Sequence, residues 1–212
     1  MKVRVKDECF DVAGEPADFW GWVNEGRYDK EWELLNRHLL PEHTFLDLGA
    51  WVGSHSLYAS RTAHRIIALE PDPVAYKILH ENVKDIKNIS SYPLAVMDCG
   101  GEVRMGSGFL GASTTRINRE AGGGIGAWDE DHIVTVPCTT LRQLVEDHKI
   151  MDPMFIKMDV EGAEELILKD VDFFRERTPV LFLEQHPFWW ENKPETFELI
   201  SRIAHVTSVL CH

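Results

Sequence analysis

Phe45-Leu46-Asp47-Leu48-Gly49-Ala50-Trp51-Val52-Gly53 decides the fold: an apolar strand runs into a turn of small residues, and a helix is expected to follow from Ser56 to Arg61. Glycines there let the backbone approach a ligand closely, and the free N–H groups of a helix start favour anionic or polar ligand groups. The spacing is G-x-x-x-G, whereas the dinucleotide fingerprint is G-x-G-x-x-G, so a nicotinamide dehydrogenase is disfavoured. A second signal lies 23 residues after Asp47, where Glu70 ends the next apolar run. An acidic side chain at that position can accept both hydroxyls of an adenosine ribose. Without a ligand, Glu70 reads as a solvated acid before Pro71, and Asp47 as a buried acid capping backbone amides.

Outward from this stretch, β-rich runs alternate with helical periods. Arg65 to Leu69 precedes Val74 to Lys84, in which Ala75, Ile78, Leu79, Asn82 and Val83 share a face. The rhythm resumes with Phe155 to Met158, a helix keeping Ala163, Leu166, Ile167, Val171 and Phe174 at 3.6 spacing, and a strand from Val180 to Leu183. A helix with Phe197, Ile200 and Ile203 on one face and a last run from His205 to Leu210 follow. Such alternation predicts a mostly parallel α/β sheet with helices on both faces. Residues 1–40 read as a short hairpin and then helices that cap the sheet, one with Trp32, Leu35 and Leu39 at helical spacing. Residues 97–137 form an insert in which Glu102 to Met105 and Ile133 to Val136 are hairpin strands. Gly106 to Gly126 between them holds seven of the fifteen glycines and is expected to be a mobile loop over the site, with a plain surface insertion as the alternative.

The 212 residues, 44% hydrophobic and 27% charged, predict a single domain spanning 1–212. A formal charge of −13, with no run of Lys or Arg, argues against nucleic-acid and membrane-surface partners. Cys9, Cys99, Cys138 and Cys211 form no C-x-x-C pair, which argues against a zinc site or a disulfide framework. MKVRVKDECF has no apolar stretch for a signal peptide, and no window nears the roughly 18 apolar residues of a spanning helix. A soluble, cytoplasmic protein is expected.

From about Thr44 to His186 the sequence resembles the FkbM-type family of class I S-adenosylmethionine-dependent methyltransferases. The likeness runs through DLGAWVG, ALEPDP followed by LHENV, LAVMDCGG, TTL, IKMDVEGAEELIL and FLEQHP. It implies a Rossmann-like sheet with S-adenosyl-L-methionine across the carboxyl ends of the first strands. It also implies methyl transfer to a hydroxyl of a carbohydrate or other small molecule. By position, Asp47, Gly49, Ala50 and Gly53 would line the methionine end of the cofactor, Glu70 the ribose and the chain from Ala95 to Met97 the adenine, with Asp159 also in the cofactor set. The sequence departs from the family at its end, where one strand-like run stands in place of two, so the C-terminal sheet edge reads as shortened.

An alcohol attacks a sulfonium methyl only as a base removes its proton. The carboxyl ends of the middle strands offer Asp159, Glu161, Glu184 and His186, and His186 leads because imidazole titrates near neutrality. Glu161 and Glu164 also read as first-turn acids complementing a helix dipole. Asp159, Glu161, Glu184 and His186 could instead bind Mg²⁺, but no Asp-Asn pair follows Leu183 to supply further ligands, and no metal is assigned. Glu161, Trp189 and Trp190 are the expected substrate contacts, and Trp51 the packing of the cofactor loop. N- or carboxyl methylation, or a noncatalytic cofactor-binding module, remain the alternatives.

Overall fold

The computed structural model describes residues 1–14, 16–106, 116–118 and 133–203. The chain opens on an antiparallel hairpin, β1 (Lys2–Val5) with β2 (Glu8–Asp11), and continues through α1 (Ala17–Asn24) and α2 (Asp29–His38). The alternating part follows as β3 (Thr44–Leu48), α3 (Ser54–Ala59), β4 (Arg65–Leu69), α4 (Pro73–Val83) and β5 (Ile89–Tyr92). Next come β6 (Ala95–Met97), β7 (Gly101–Gly106), β8 (Arg116–Asn118) and β9 (Ile133–Thr140). The last elements are α5 (Leu141–Asp147), β10 (Met154–Met158), α6 (Glu164–Ile167), α7 (Val171–Arg177), β11 (Val180–Leu183) and α8 (Lys193–Ile203).

Five strands, all parallel, make the main sheet in the order β11-β10-β3-β4-β5, the Rossmann-like α/β arrangement that the alternation predicts. Side chains alternate across a strand, so β3 sends Phe45 and Asp47 to one face and Leu46 and Leu48 to the other. On the first face Phe45, Ile66, Ala68 and Phe155 pack with α3, α4 and the N-terminal cap, including Trp20, Trp32 and Leu35. On the second, Leu46, Ile67, Ile156 and Met158 pack with Leu144, Ile167, Phe173 and Leu199 of α5 to α8. The hairpin, α1 and α2 thus contribute apolar side chains to the core on this face of the sheet.

Local chemistry fixes the helix starts. Asp72 caps α4 by accepting from Val74 N and Ala75 N, with Pro73 at the first helical position; Thr140 and Asp170 cap α5 and α7 through Gln143 N and Phe173 N. That Asp170 cap divides the single helix expected from Ala163 to Phe174 into α6 and α7. The insert is also more than a hairpin. β6, β9, β7 and β8 form a separate four-stranded sheet, in which β7 pairs antiparallel with β9 and β6 pairs parallel with it. In α8 the buried positions are Thr196 and Leu199, with Ile200 and Ile203 packed beside them. Phe197, expected on the same face, is exposed and meets the Trp190 ring edge-on at 5.3 Å. The glycine-rich stretch expected to cover the site, apart from Gly106 and β8, lies outside the described residues, as does the final run from His205 to Leu210.

The glycine turn is built against its neighbours. Gly49 has φ +75°, and a Cβ there would stand 1.8 Å from the Asp159 carbonyl oxygen; at Gly53, φ +88°, it would stand 2.7 Å from Leu79 Cδ1. Gly49 is thus required by its packing on the end of β10 and Gly53 by its left-handed backbone, whatever binds the turn. Gly49→Ala is expected to cost about 3 kcal/mol or more in urea unfolding. A loss below about 1 kcal/mol would show that the turn does not sit this close to β10.

Candidate active site

The register brings the ends of four strands level. Leu48 pairs with Leu69 and Met158, and Met158 with Leu183, so the residues that follow each strand, Gly49, Glu70, Asp159 and Glu184, stand along one rim. Backbone bonds extend the ladder past the strands: Gly49 N donates to Leu69 O, Asp159 N to Leu48 O and Glu184 N to Met158 O. Above this rim lies a cavity of about 340 Å³, within the usual range for small-molecule sites. One end is lined by Gly49, Ala50, Trp51, Glu70, Pro71 and the stretch Leu94 to Val96, and the other by Asp159, Val160, Glu161 and Glu184. Its remaining walls come from the cap (Phe19, Trp22, Tyr28, Glu31), from Ser54 and His55 of α3, and from Met105 of β7.

Under the rim, Lys157 holds three pieces together. Its Nζ donates to Gly49 O at 2.8 Å and lies 3.0 Å from Asp159 Oδ2 and 3.5 Å from Asp47 Oδ1. Burial works against its charge, yet Asp159 and Asp47 more than compensate and hold its pKa above the ordinary lysine value. Asp47 is fully buried and accepts from Ser56 Oγ at 2.6 Å. It stands beneath the cavity and does not line it.

Burial dominates at Glu70, Glu161 and Glu184. Glu70 accepts from Trp51 N on one oxygen and Asp72 N on the other, both at 2.8 Å, and burial still raises its pKa to about 7. Burial, then Asp159, Glu164 and Glu184, push Glu161 up to about 7 against the pull of His186. Glu184 is raised as well, by burial and then by Asp159. Tyr28 also has a raised pKa, first through burial and then through Glu31, Glu184 and Asp159, so the cap and the rim share one acidic neighbourhood.

His186 sits behind this wall, outside the cavity lining. Its Nδ1 is 2.8 Å from Glu164 Oε1, and its Nε2 lies 3.6 Å from Glu161 Oε2 and 3.8 Å from Asp159 Oδ1. Burial opposes its charge, but Glu164, Glu161 and Asp159 outweigh it and push its pKa up to about 9. At neutral pH it is therefore an imidazolium, which can donate a proton but has no lone pair to receive one. That geometry revises the expectation of His186 as the base. Asp159, Glu184 and His186 do bring one donor atom each within 4.8 Å of one another, a set that a hard divalent cation could bridge, in the same neighbourhood as the Lys157 ammonium.

Of the residues singled out in the sequence, Gly49, Ala50, Glu70, Ala95, Asp159, Glu161 and Glu184 line the cavity. Asp47, Gly53, His186, Trp189 and Trp190 do not. Trp190 is buried with its Nε1 donating to Glu164 Oε2 at 2.9 Å, and Trp189 packs against Gly162 and the Phe188 ring. The aromatic walls are instead Phe19, Trp22, Tyr28 and Trp51. Lys157, Glu31 and His55 carry no role in the sequence reading, and Glu164, expected there as a first-turn acid, is instead fully buried and bonded to His186 and Trp190. A lone lysine inside the apolar strand Met154–Met158, on the same face as Asp47, was the available signal for Lys157. Nothing in the sequence alone links Glu31 to His55.

Comparison with known proteins gives three findings. A family model described as "Methyltransferase FkbM domain" matches residues 47–209. A protein of Methanosarcina acetivorans described as "Probable ribosomal RNA small subunit methyltransferase A" is 28% identical over 80 residues, covering 38% of this chain and 29% of that protein. The crystal structure of Trm5b from Pyrococcus abyssi matches at 25% identity with a TM-score of 0.29, over 31% of this chain and 20% of the other. The chain thus spans under a third of the length of the curated relative it matches.

The Glu70 environment predicts a pH signature. Its pKa is about 7 in the folded protein against an ordinary 4.5, so between those values the folded state keeps a proton that the unfolded state has released. This group therefore costs stability as pH rises through that window. The stability of wild type minus that of Glu70→Gln, from urea unfolding at pH 5 to 8, should fall with pH, by about 1.4 kcal/mol per unit at its steepest. A difference independent of pH would show that Glu70 is not buried in this way.

Proposed function

The chain belongs to the FkbM methyltransferase family, and from that membership we propose that its cavity binds S-adenosyl-L-methionine and passes the methyl group to a hydroxyl of a sugar or other small molecule. The observation that carries the reading is the placing of Glu70 and the glycine turn at one end of a single cavity and of Asp159, Glu161 and Glu184 at the other. When bound, the cofactor supplies an electrophilic methyl on a sulfonium.

The chain's own residues supply the rest. Each oxygen of Glu70 already takes one backbone N–H, which fixes the carboxylate and leaves its other lone pairs for the two ribose hydroxyls. Leu94 to Val96 offer an apolar strip for the adenine. Asp159, steadied by Lys157, would stand toward the cationic end of the cofactor. Glu161, which burial pushes up to about 7, can accept from or donate to an acceptor hydroxyl, and Glu184 beside it, also raised by burial, helps to set that hydroxyl's direction. Phe19, Trp22 and Tyr28 give that acceptor flat apolar walls suited to the C–H faces of a sugar.

Charge separates the alternatives. Glu31, Glu70, Asp159, Glu161 and Glu184 all line the cavity, opposed chiefly by Lys157. Such a lining disfavours carboxylate acceptors and phosphate backbones and tolerates an amine, so N-methylation of an amino compound is the second reading. The relative described as acting on ribosomal RNA shares only a short segment, and this chain's charge of −13 does not favour such a substrate.

Calorimetric titration with S-adenosylhomocysteine, alongside NAD, tests the cofactor. Binding of S-adenosylhomocysteine alone is expected, weakened about tenfold or more in Glu70→Ala, as loss of charged hydrogen bonds to two hydroxyls requires. Transfer of tritiated methyl to neutral sugars, amino sugars and sugar acids then ranks the acceptors. Failure to bind S-adenosylhomocysteine, or binding of NAD in its place, would sink the proposal.

A further inference from the structure

Methyl transfer to a hydroxyl needs a proton acceptor, and two of the rim's candidates are already engaged. His186 faces three carboxylates, and Asp159 is tied to Lys157. Across the cavity stands a different histidine. His55 occupies the first turn of α3, just past the glycine turn, and Glu31 comes from α2 in the cap; both line the cavity. His55 Nε2 is 2.9 Å from Glu31 Oε2, with the two side chains only 12% and 9% exposed. The ring packs against Trp32 at 4.9 Å between centroids and Phe182 at 6.0 Å, so its plane is fixed. A carboxylate on Nε2 selects the tautomer with hydrogen there and leaves the lone pair on Nδ1. This is the arrangement of a base held by an orienting acid, with neither residue in the motifs of the rim. Burying the Glu31 carboxylate is costly unless it is paired, and His55 is the partner that the geometry provides.

We propose that His55, oriented by Glu31, is the base that removes the acceptor's proton, so that the N-terminal cap completes a catalytic pair with the glycine-turn helix. The proposal rests on the methyltransferase reading above. In the step, the acceptor O–H proton passes to His55 Nδ1 as the oxygen forms its bond to the methyl carbon. The C–S bond breaks with its electron pair going to sulfur. The products are a methyl ether, a neutral thioether and an imidazolium stabilised by Glu31, which returns its proton to water.

Two measurements test this, the first needing no acceptor. Long-range ¹H–¹⁵N spectra of the histidine-labelled protein with S-adenosylhomocysteine at pH 7.5 should show His55 neutral with hydrogen on Nε2, and Glu31→Gln should change that signature. A His55 ring carrying hydrogen on Nδ1, or doubly protonated, overturns the assignment even if His55 variants do not fold. Second, with an acceptor from the tritium screen, His55→Ala should lower kcat about 100-fold or more while S-adenosylhomocysteine affinity stays within about threefold, and imidazole in the buffer should restore part of the turnover. Retention of kcat within about threefold overturns the proposal. Loss of S-adenosylhomocysteine binding in step with kcat overturns it too, because His55 then serves the cofactor. A wild-type protein that binds no S-adenosylhomocysteine instead refutes the methyltransferase reading itself.

Discussion

The buried ammonium of Lys157 is the interaction on which the site depends. β10 and β3 are in register so that Lys157 lies directly beside Asp47, and alternation puts both on the cap side of the sheet. A charge in that position is tolerable only if it is paired and hydrogen-bonded. Asp47, Asp159 and the Gly49 carbonyl meet the condition together. One side chain thereby couples the end of β10 to the turn after β3, and Ser56, through Asp47, extends the coupling to the start of α3. Gly49, whose Cα approaches the Asp159 carbonyl too closely for any side chain, is the steric counterpart of the same contact.

Glu164 plays the corresponding part on the far side. Fully buried in α6, it takes the His186 ring on one oxygen and the Trp190 indole on the other, and it also accepts from Val160 N. Together these bonds fold the segment after β11 down onto the turn after β10. The strand-end acids are consequently held by a cation from below, Lys157, and a cation from behind, His186. Their carboxylates keep a fixed outlook toward the cavity while much of their charge is balanced within the protein.

The sheet was legible because its signals are local: apolar runs of strand length, Asp72 before Pro73, and the glycines of the turn each carry their meaning within a few residues. The rim was legible for the same reason, since parallel pairing makes the residues after successive strands neighbours. What escaped was set by contacts distant in sequence. His186 looked like a base because imidazole titrates near neutrality, and only folding brings Glu164, Glu161 and Asp159 around it. Trp189 and Trp190 looked like a substrate platform, whereas the Glu164 carboxylate draws Trp190 inward. The cap reads as a cover by its apolar spacing; that it also sends Phe19, Trp22, Tyr28 and Glu31 into the cavity depends on how it docks, which periodicity does not encode.

The acidity of the cavity has a consequence for the direction of the proposed reaction. S-adenosylmethionine carries one positive charge more than S-adenosylhomocysteine, and transfer moves that charge from sulfur to a proton. If a base inside the cavity takes the proton, the sum of charge facing Glu31, Glu70, Asp159, Glu161 and Glu184 is unchanged as the bonds exchange, and the carboxylates need not reorganise during the step. Only when the proton leaves for water does the balance alter. The neutral product is then left against carboxylates that favour a cation, which weakens its hold relative to incoming cofactor. A histidine paired with Glu31 on the cap side suits that sequence, because it keeps the proton within reach of the same carboxylates until the product departs, and then passes it outward past a wall that belongs to the cap rather than to the sheet.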